Sequence, residues 1–128
     1  MAENYEFSAA TVLAVTGLTY RQLHNMAATD TCCPTRMEAG SGSQWLYTYD
    51  ELVALTAIKL LDSLGARASH LRRAVYRSLT SAKQNERCRV TTGDDTVVIT
   101  VDKLRAQKLV NERLQELQAQ KAKENNDG

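Results

Sequence analysis

Long apolar runs are missing from this chain, and no stretch approaches the roughly 20 residues that cross a bilayer as a helix. The start of the chain lacks the basic-then-apolar order of a secretory signal. Both absences point to a soluble, cytoplasmic protein with no membrane partner. Aromatic residues are scarce, with one Trp, one Phe and five Tyr, so the core must be built largely from Leu, Val and Ala. Cysteine is scarce too: Cys32 and Cys33 are adjacent and Cys88 stands alone, a set that makes no disulfide framework and fits reduced thiols. The two histidines, His24 and His70, are too isolated for a catalytic or metal site. Paired carboxylates, a nucleophile with a base, and a Gly-rich loop followed by Lys are all lacking, which argues against an enzyme and against a cofactor. Gly40 to Gly42 is a loop tip, too short to cradle a nucleotide.

Net charge is also nearly absent, at +1 over 128 residues, but its distribution is uneven. Residues 1–65 carry three basic side chains (Arg21, Arg36, Lys59) against seven acidic ones. Residues 66–92 carry seven basic side chains (Arg67, Arg72, Arg73, Arg77, Lys83, Arg87, Arg89) against Glu86 alone. One basic zone in mid-chain is the asymmetry of a phosphate-facing surface. The acidic first half counts against that reading.

What is present is a series of short elements with clear punctuation. Ser8 caps a helix over Phe7–Val15 that turns Val12, Leu13 and Val15 inward. Gly17 breaks it. Thr19-Tyr20-Arg21-Gln22 has the form of a capping box, and the helix that it opens runs to about Ala28, burying Leu23 and Met26. Two short helices around a Gly turn make a helix-turn-helix. Residues 29–46 lose the helical period, pass Pro34 and a Gly40-Ser41-Gly42-Ser43 tip, and return as a strand at Gln44-Trp45-Leu46-Tyr47, the outline of a wing. Thr48-Tyr49-Asp50-Glu51 is a second capping box; the apolar helix after it carries Leu52, Leu55, Ile58, Leu61 and Leu64 and closes at Gly65. A fourth helix over Arg67–Lys83 buries Ala68, Leu71, Val75 and Leu79, with Arg72, Arg73 and Arg77 off that stripe. Arg87–Thr92 and Thr96–Val101 alternate around Gly93-Asp94-Asp95 as a β-hairpin, Cys88 and Val90 sharing a face, as do Val97, Ile99 and Val101. Asp102 caps a last helix with Ala106, Leu109, Val110, Leu114 and Leu117 in its stripe, and the polar tail beyond Leu117 is expected to fray.

The order of these parts resembles the DNA-binding domain of the MerR family across Phe7 to Leu79. Phe7-Ser8 leads into the first helix, and Val15-Thr16-Gly17-Leu18-Thr19 resembles the family's LTGVS turn. Arg21 and Leu23 follow, with Pro34 and Arg36 in the wing. Leu46-Tyr47-Thr48-Tyr49-Asp50-Glu51-Leu52 resembles LYSEEDL, and Leu61-Asp62-Ser63-Leu64-Gly65 resembles LRDLG. Two stretches depart from the pattern: Leu23-His24-Asn25-Met26 stands where the family has Leu-Arg-Tyr-Tyr/Trp, and Ser43-Gln44-Trp45 where it has Gly-Tyr-Arg. Cys32, Cys33 and Cys88 match in number the three thiolates of the family's metal sensors, but the adjacent pair falls in the wing, and no Cys/His cluster completes a zinc site. The expected fold is therefore mainly α: a winged helix-turn-helix of MerR type over residues 1–83, then a β-hairpin and a dimerisation helix over 84–128.

In such a fold the second helix reads the major groove with Thr19, Tyr20, Arg21, Gln22, His24 and Asn25, Arg21 suiting guanine and Gln22 or Asn25 suiting adenine. The plain alternatives are that Gln22 only caps its helix and Arg21 is a solvated charge. Arg36, Ser41, Ser43, Gln44 and Trp45 of the wing are placed to meet the backbone or minor groove; Trp45 suits packing of the wing onto the core equally well. The turn before the fourth helix can act as a second wing, bringing Arg67, Ser69 and His70 to phosphates beside a helix N-terminus. Arg72, Arg73 and Arg77 are either solvated or paired with acids of the first half.

The stripe of the last helix, with Val97 and Ile99 of the hairpin and Leu109, Val110, Leu114 and Leu117, is the expected homodimer surface; the alternative is a helix folded back on its own domain. Three functions follow. The first is a dimeric transcription regulator on a pseudo-palindromic site of double-stranded DNA, with RNA polymerase or another bacterial or phage protein as a further partner. The second is an excisionase or recombination directionality factor bending repeated sites. The third is a protein-interaction module, which the acidic first half favours.

Overall fold

The computed structural model describes residues 7–29, 36–38, 44–65, 69–81, 87–91 and 98–127. Ser8 is extended (φ −69°, ψ 161°), and its Oγ accepts the Thr11 N–H at 3.3 Å. That same extended backbone lets Phe7–Ser8 pair as strand β1, so helix α1 begins only at Ala9 and runs to Thr16. The helix expected from Phe7 thus loses its first two residues to a sheet. Gly17 ends α1 at φ +83°, in the left-handed region that an L side chain enters only at a cost, and donates its N–H to Leu13 O at 3.0 Å.

Helix α2 (Tyr20–Ala28) opens on the reciprocal capping box: Gln22 N–H donates to Thr19 Oγ1 at 3.1 Å, and Thr19 N–H to Gln22 Oε1 at 2.9 Å. Strands β2 (Arg36–Glu38) and β3 (Gln44–Tyr47) follow as an antiparallel arm in the register Arg36↔Leu46, Met37↔Trp45, Glu38↔Gln44. β1 joins the other edge of β3 through Phe7↔Tyr47 and Ser8↔Leu46, giving a three-stranded sheet in the order β1-β3-β2.

The second capping box starts helix α3 (Tyr49–Ser63), with Glu51 N–H donating to Thr48 Oγ1 at 3.2 Å and Thr48 N–H to Glu51 Oε1 at 2.7 Å. α3 is the central post of the fold. Every residue from Glu51 to Ile58 is buried, so the narrow stripe expected of it is a nearly continuous buried surface, packed by α1, helix α4 (Ser69–Ser81) and helix α5 (Lys103–Asp127). Its last turn is different. Leu64, expected to extend the stripe, is 82% exposed, because the helix has ended and Gly65 (φ +89°) turns the chain away.

In α4, Val75 and Leu79 are fully buried and Leu71 half-buried, as the period requires; Ala68 lies outside the described residues. Strands β4 (Arg87–Thr91) and β5 (Val98–Asp102) pair antiparallel with Cys88↔Val101 and Val90↔Ile99, the hairpin faces foreseen from the alternation. Asp102 ends β5 and caps α5, its Oδ1 accepting the Arg105 N–H at 3.2 Å. α5 does not stop near Leu117 but continues to Asp127, through Gln, Ala, Lys and Glu residues that favour helix without needing burial.

α5 lies on its own chain. Val110 is fully buried and Ala106 nearly so, in one cluster with Val12, Val15, Leu52, Leu55 and Ile58, and Leu114 and Leu117 pack partly against it. Arg113 Nη1 donates to Val15 O at 2.7 Å, satisfying a carbonyl at the end of α1, and the Tyr49 hydroxyl donates to Asn111 Oδ1 at 2.7 Å. Lys103 is wholly buried, with its Nζ 3.6 Å from Asp50 Oδ1 at the start of α3. One core therefore runs through both halves of the chain, and Val110, expected at a surface between protomers, is an interior residue.

Candidate nucleic-acid interface

α1, the Gly17 turn and α2 form the helix-turn-helix, and what matters for recognition is which side chains α2 leaves outside. Its inner face is fixed by Leu23 and Met26, both essentially buried, with Leu18 of the turn sealing the same core. The outer face then consists of Tyr20, Arg21, His24, Asn25 and Ala28, all exposed. Arg21 and Asn25 keep the exposure expected of groove-reading side chains. Thr19 and Gln22 are engaged with each other in the capping box, so the plain reading of Gln22 holds for its Oε1, which is committed to the backbone.

The structure also joins three residues that the sequence scatters. The His24 imidazole lies against the Trp45 indole with centroids 4.8 Å apart and planes at 38°. Tyr20, one turn before His24, lies 5.8 Å from the imidazole and meets the indole edge-on at 6.4 Å. Trp45 is half-buried and packs partly against the core, the plainer of the two roles weighed for it. His24 is consequently not isolated: it links the outer face of α2 to β3. The i,i+4 spacing of Tyr20 and His24 was the signal available in the sequence; the third member, 21 positions further on, had none.

The remaining candidates divide sharply. The backbones of Arg36 and Gln44 close the two ends of the β2–β3 ladder, at Arg36↔Leu46 and Glu38↔Gln44. Ser41, Ser43 and Arg67 lie outside the described residues, as do Pro34, Cys32, Cys33 and Val97. His70 is exposed in the first turn of α4. The hairpin's Ile99 is half-buried, and so is Leu109 of α5.

Two arginines of the basic zone serve the fold. Arg72 grips Asp62 through two bonds, Nη2 to Oδ2 at 2.8 Å and Nε to Oδ1 at 3.2 Å, with only 22% and 7% of the two side chains exposed. This planar pairing pins the start of α4 to the end of α3. Arg73 Nη2 donates to Thr29 O at 3.2 Å, placing a cation at the carbonyl end of α2, where the helix dipole favours it. Three of the seven acids of the first half are engaged by the fold: Asp62 with Arg72, the still partly exposed Asp50 near Lys103, and Glu51 with the Thr48 N–H and the Tyr76 hydroxyl, which donates to Glu51 Oε2 at 2.8 Å.

Among the described residues no cluster of His, Cys, Asp and Glu has the makings of a metal site, and no helix is long and apolar enough to cross a membrane.

No protein-family model matches the chain. Over 62 residues, 48% of its length, it is 40% identical to proteins described as uncharacterized HTH-type transcriptional regulators, one from Mycobacterium bovis and others from two strains of Mycobacterium tuberculosis. The matched stretch spans only 28% of each of those relatives. The likeness agrees with the helix-turn-helix seen in the fold.

Proposed function

We propose that this chain is a DNA-binding transcription regulator that places α2 in the major groove of double-stranded DNA and lays the β2–β3 arm alongside as a wing, in the MerR manner. The observation that carries the reading is the exposed face of α2. A short helix, capped at its start and held on a two-helix scaffold, presents Tyr20, Arg21, His24 and Asn25 outward, all four exposed. The similarity to HTH-type transcriptional regulators supports it independently. The acidic first half, which favoured a protein-interaction module, weighs less once Glu51 and Asp62 are seen buried in the fold and Asp50 close to Lys103.

In this reading the protein acts as a homodimer on a pseudo-palindromic site, joined through the outer face of α5 and its extension beyond Leu117, with Leu104, 54% exposed, as an apolar anchor. Leu109, Leu114 and Leu117 then contribute only the edges that their own core leaves open. The deciding experiment is selection of bound fragments from random duplexes, followed by affinity measured against salt. Binding that selects a sequence and weakens steeply with salt supports the proposal. Indifference to every duplex in dilute buffer refutes it. A chain that sediments as a monomer at all concentrations, with and without its selected DNA, removes the dimer.

A further inference from the structure

The exposed face of α2 is poor in charge and rich in aromatic surface, and this sets what it is able to read. Among its described side chains Arg21 is the one formal cation, whereas Tyr20, His24 and Trp45 form a continuous aromatic ridge from the first turn of α2 to β3. Tyr20 is 46% exposed, leaving much of its apolar ring open to solvent or to a ligand. The ridge stands beside Arg21 and Asn25 and therefore enters any groove together with them. The major groove offers one apolar feature, the C5-methyl group of thymine; everything else along its floor donates or accepts hydrogen bonds.

Resting on the DNA-binding reading above, we propose that the Tyr20–His24–Trp45 ridge is the specificity-determining apolar contact of the protein and seats thymine methyl groups, next to the bases read by Arg21 and Asn25. Mutual ring contacts, two tilted and one edge-on, restrain the side chains of the ridge. His24 is held between two rings, and the half-buried indole anchors the assembly to the core, so little side-chain freedom is lost when a methyl group docks. The wing contributes here through Trp45, as part of the base-reading surface.

The test uses the full chain and a duplex selected from a random pool, with each thymine in turn replaced by deoxyuridine, which removes the methyl group and leaves pairing intact. Loss of about fourfold in affinity at one or more positions is expected, the equivalent of one buried methyl group at about 0.8 kcal/mol, with the salt dependence unchanged. In Tyr20→Ser, a change at an exposed first-turn position, the thymine and deoxyuridine duplexes should bind within a factor of two of each other. Equal affinity of the unaltered protein for thymine and deoxyuridine at every position would overturn the inference while leaving DNA binding in place. Absence of binding to any duplex would overturn the DNA reading, and this inference with it.

Discussion

Replacing Val110 by Ala tests whether α5 belongs to its own chain. Val110 is fully buried between α5 and the α1/α3 core, and the change removes two methyl groups. Transfer of those groups accounts for about 1.6 kcal/mol at about 0.8 kcal/mol each. A residual void of some tens of cubic ångströms adds up to about 1 kcal/mol if the site does not collapse. The expected loss is therefore about 1.5–2.5 kcal/mol, a sizeable part of the roughly 5–15 kcal/mol that keeps an ordinary domain folded. Urea unfolding followed by circular dichroism and Trp45 fluorescence should show the midpoint falling with an unchanged slope. Leu104→Ala, at a largely exposed position of the same helix, should cost less than about 0.5 kcal/mol in the dilute protein. Because the Val110 contact lies within one chain, its cost should be the same at low and high protein concentration, whereas a contact between chains makes stability concentration-dependent. A loss below about 0.5 kcal/mol, or one that grows with concentration, would refute the seating of α5 described above.

Arg21→Ala should weaken specific DNA binding by about 1–3 kcal/mol and relax selectivity at one position, measured by fluorescence anisotropy; unchanged affinity for the selected site would remove Arg21 from the reading surface. Asp62→Ala should cost about 2 kcal/mol in urea unfolding by stranding the largely buried Arg72, and adding Arg72→Leu should recover part of that loss; strict additivity would mean that the pair is not coupled. Gly17→Ala should cost about 1–2 kcal/mol through its positive φ alone, since the added Cβ meets nothing nearer than Lys59 Cε at 3.8 Å, and Gly17→Asn should cost less. Tyr49 should titrate above the ordinary tyrosine range near 10, because burial opposes its ionisation and Asp50 adds to that. The folded protein then holds this proton more tightly than the unfolded chain. Its contribution to stability is complete below the unfolded value and declines as pH rises from there through the folded value, which absorbance titration and alkaline unfolding would reveal.

The parts of this fold that were legible in the sequence are those determined within four residues. Thr19/Gln22 and Thr48/Glu51 each require only two side chains three positions apart, and Gly17 and Gly65 mark backbone that few other residues adopt. The hairpin faces followed from alternation alone, which is why Cys88↔Val101 and Val90↔Ile99 agree with the pattern. What escaped is what the chain decides over long distances. Two residues such as Phe7 and Ser8 have no period from which a strand is read; they become one because Leu46 and Tyr47 arrive beside them. The apolar stripe of α5 says that it must be covered and is silent about by what, and the answer lies with Val15, Tyr49 and Asp50, between 53 and 98 positions away. Exposed helix has the same blindness in reverse: a polar tail reads as frayed, yet Gln, Ala, Lys and Glu continue a helix at little cost once one packed turn precedes them.

Charge shows most clearly why counting residues misleads about function. By formal count the first half of this chain repels DNA. A charge that is buried against its partner contributes little to the field outside, because the opposite charge lies within a few ångströms and the two nearly cancel at the distance of a phosphate. Arg72 and Asp62 therefore vanish from the surface together, and Asp50 with Lys103 fades in the same way. Arg73 spends its guanidinium partly on the end of α2, so the basic zone supplies less positive field than its seven residues promise, just as the first half supplies less negative field. On the described outer face of α2 the charge left is that of Arg21, beside the aromatic ridge. Phosphate contacts hold a protein on any duplex and are lost steeply as salt rises, whereas sequence is read at base edges; the outer face of α2, with Arg21 and Asn25 beside the aromatic ridge, is suited to the second task, and the exposed Arg77, Arg87 and Arg89 to the first.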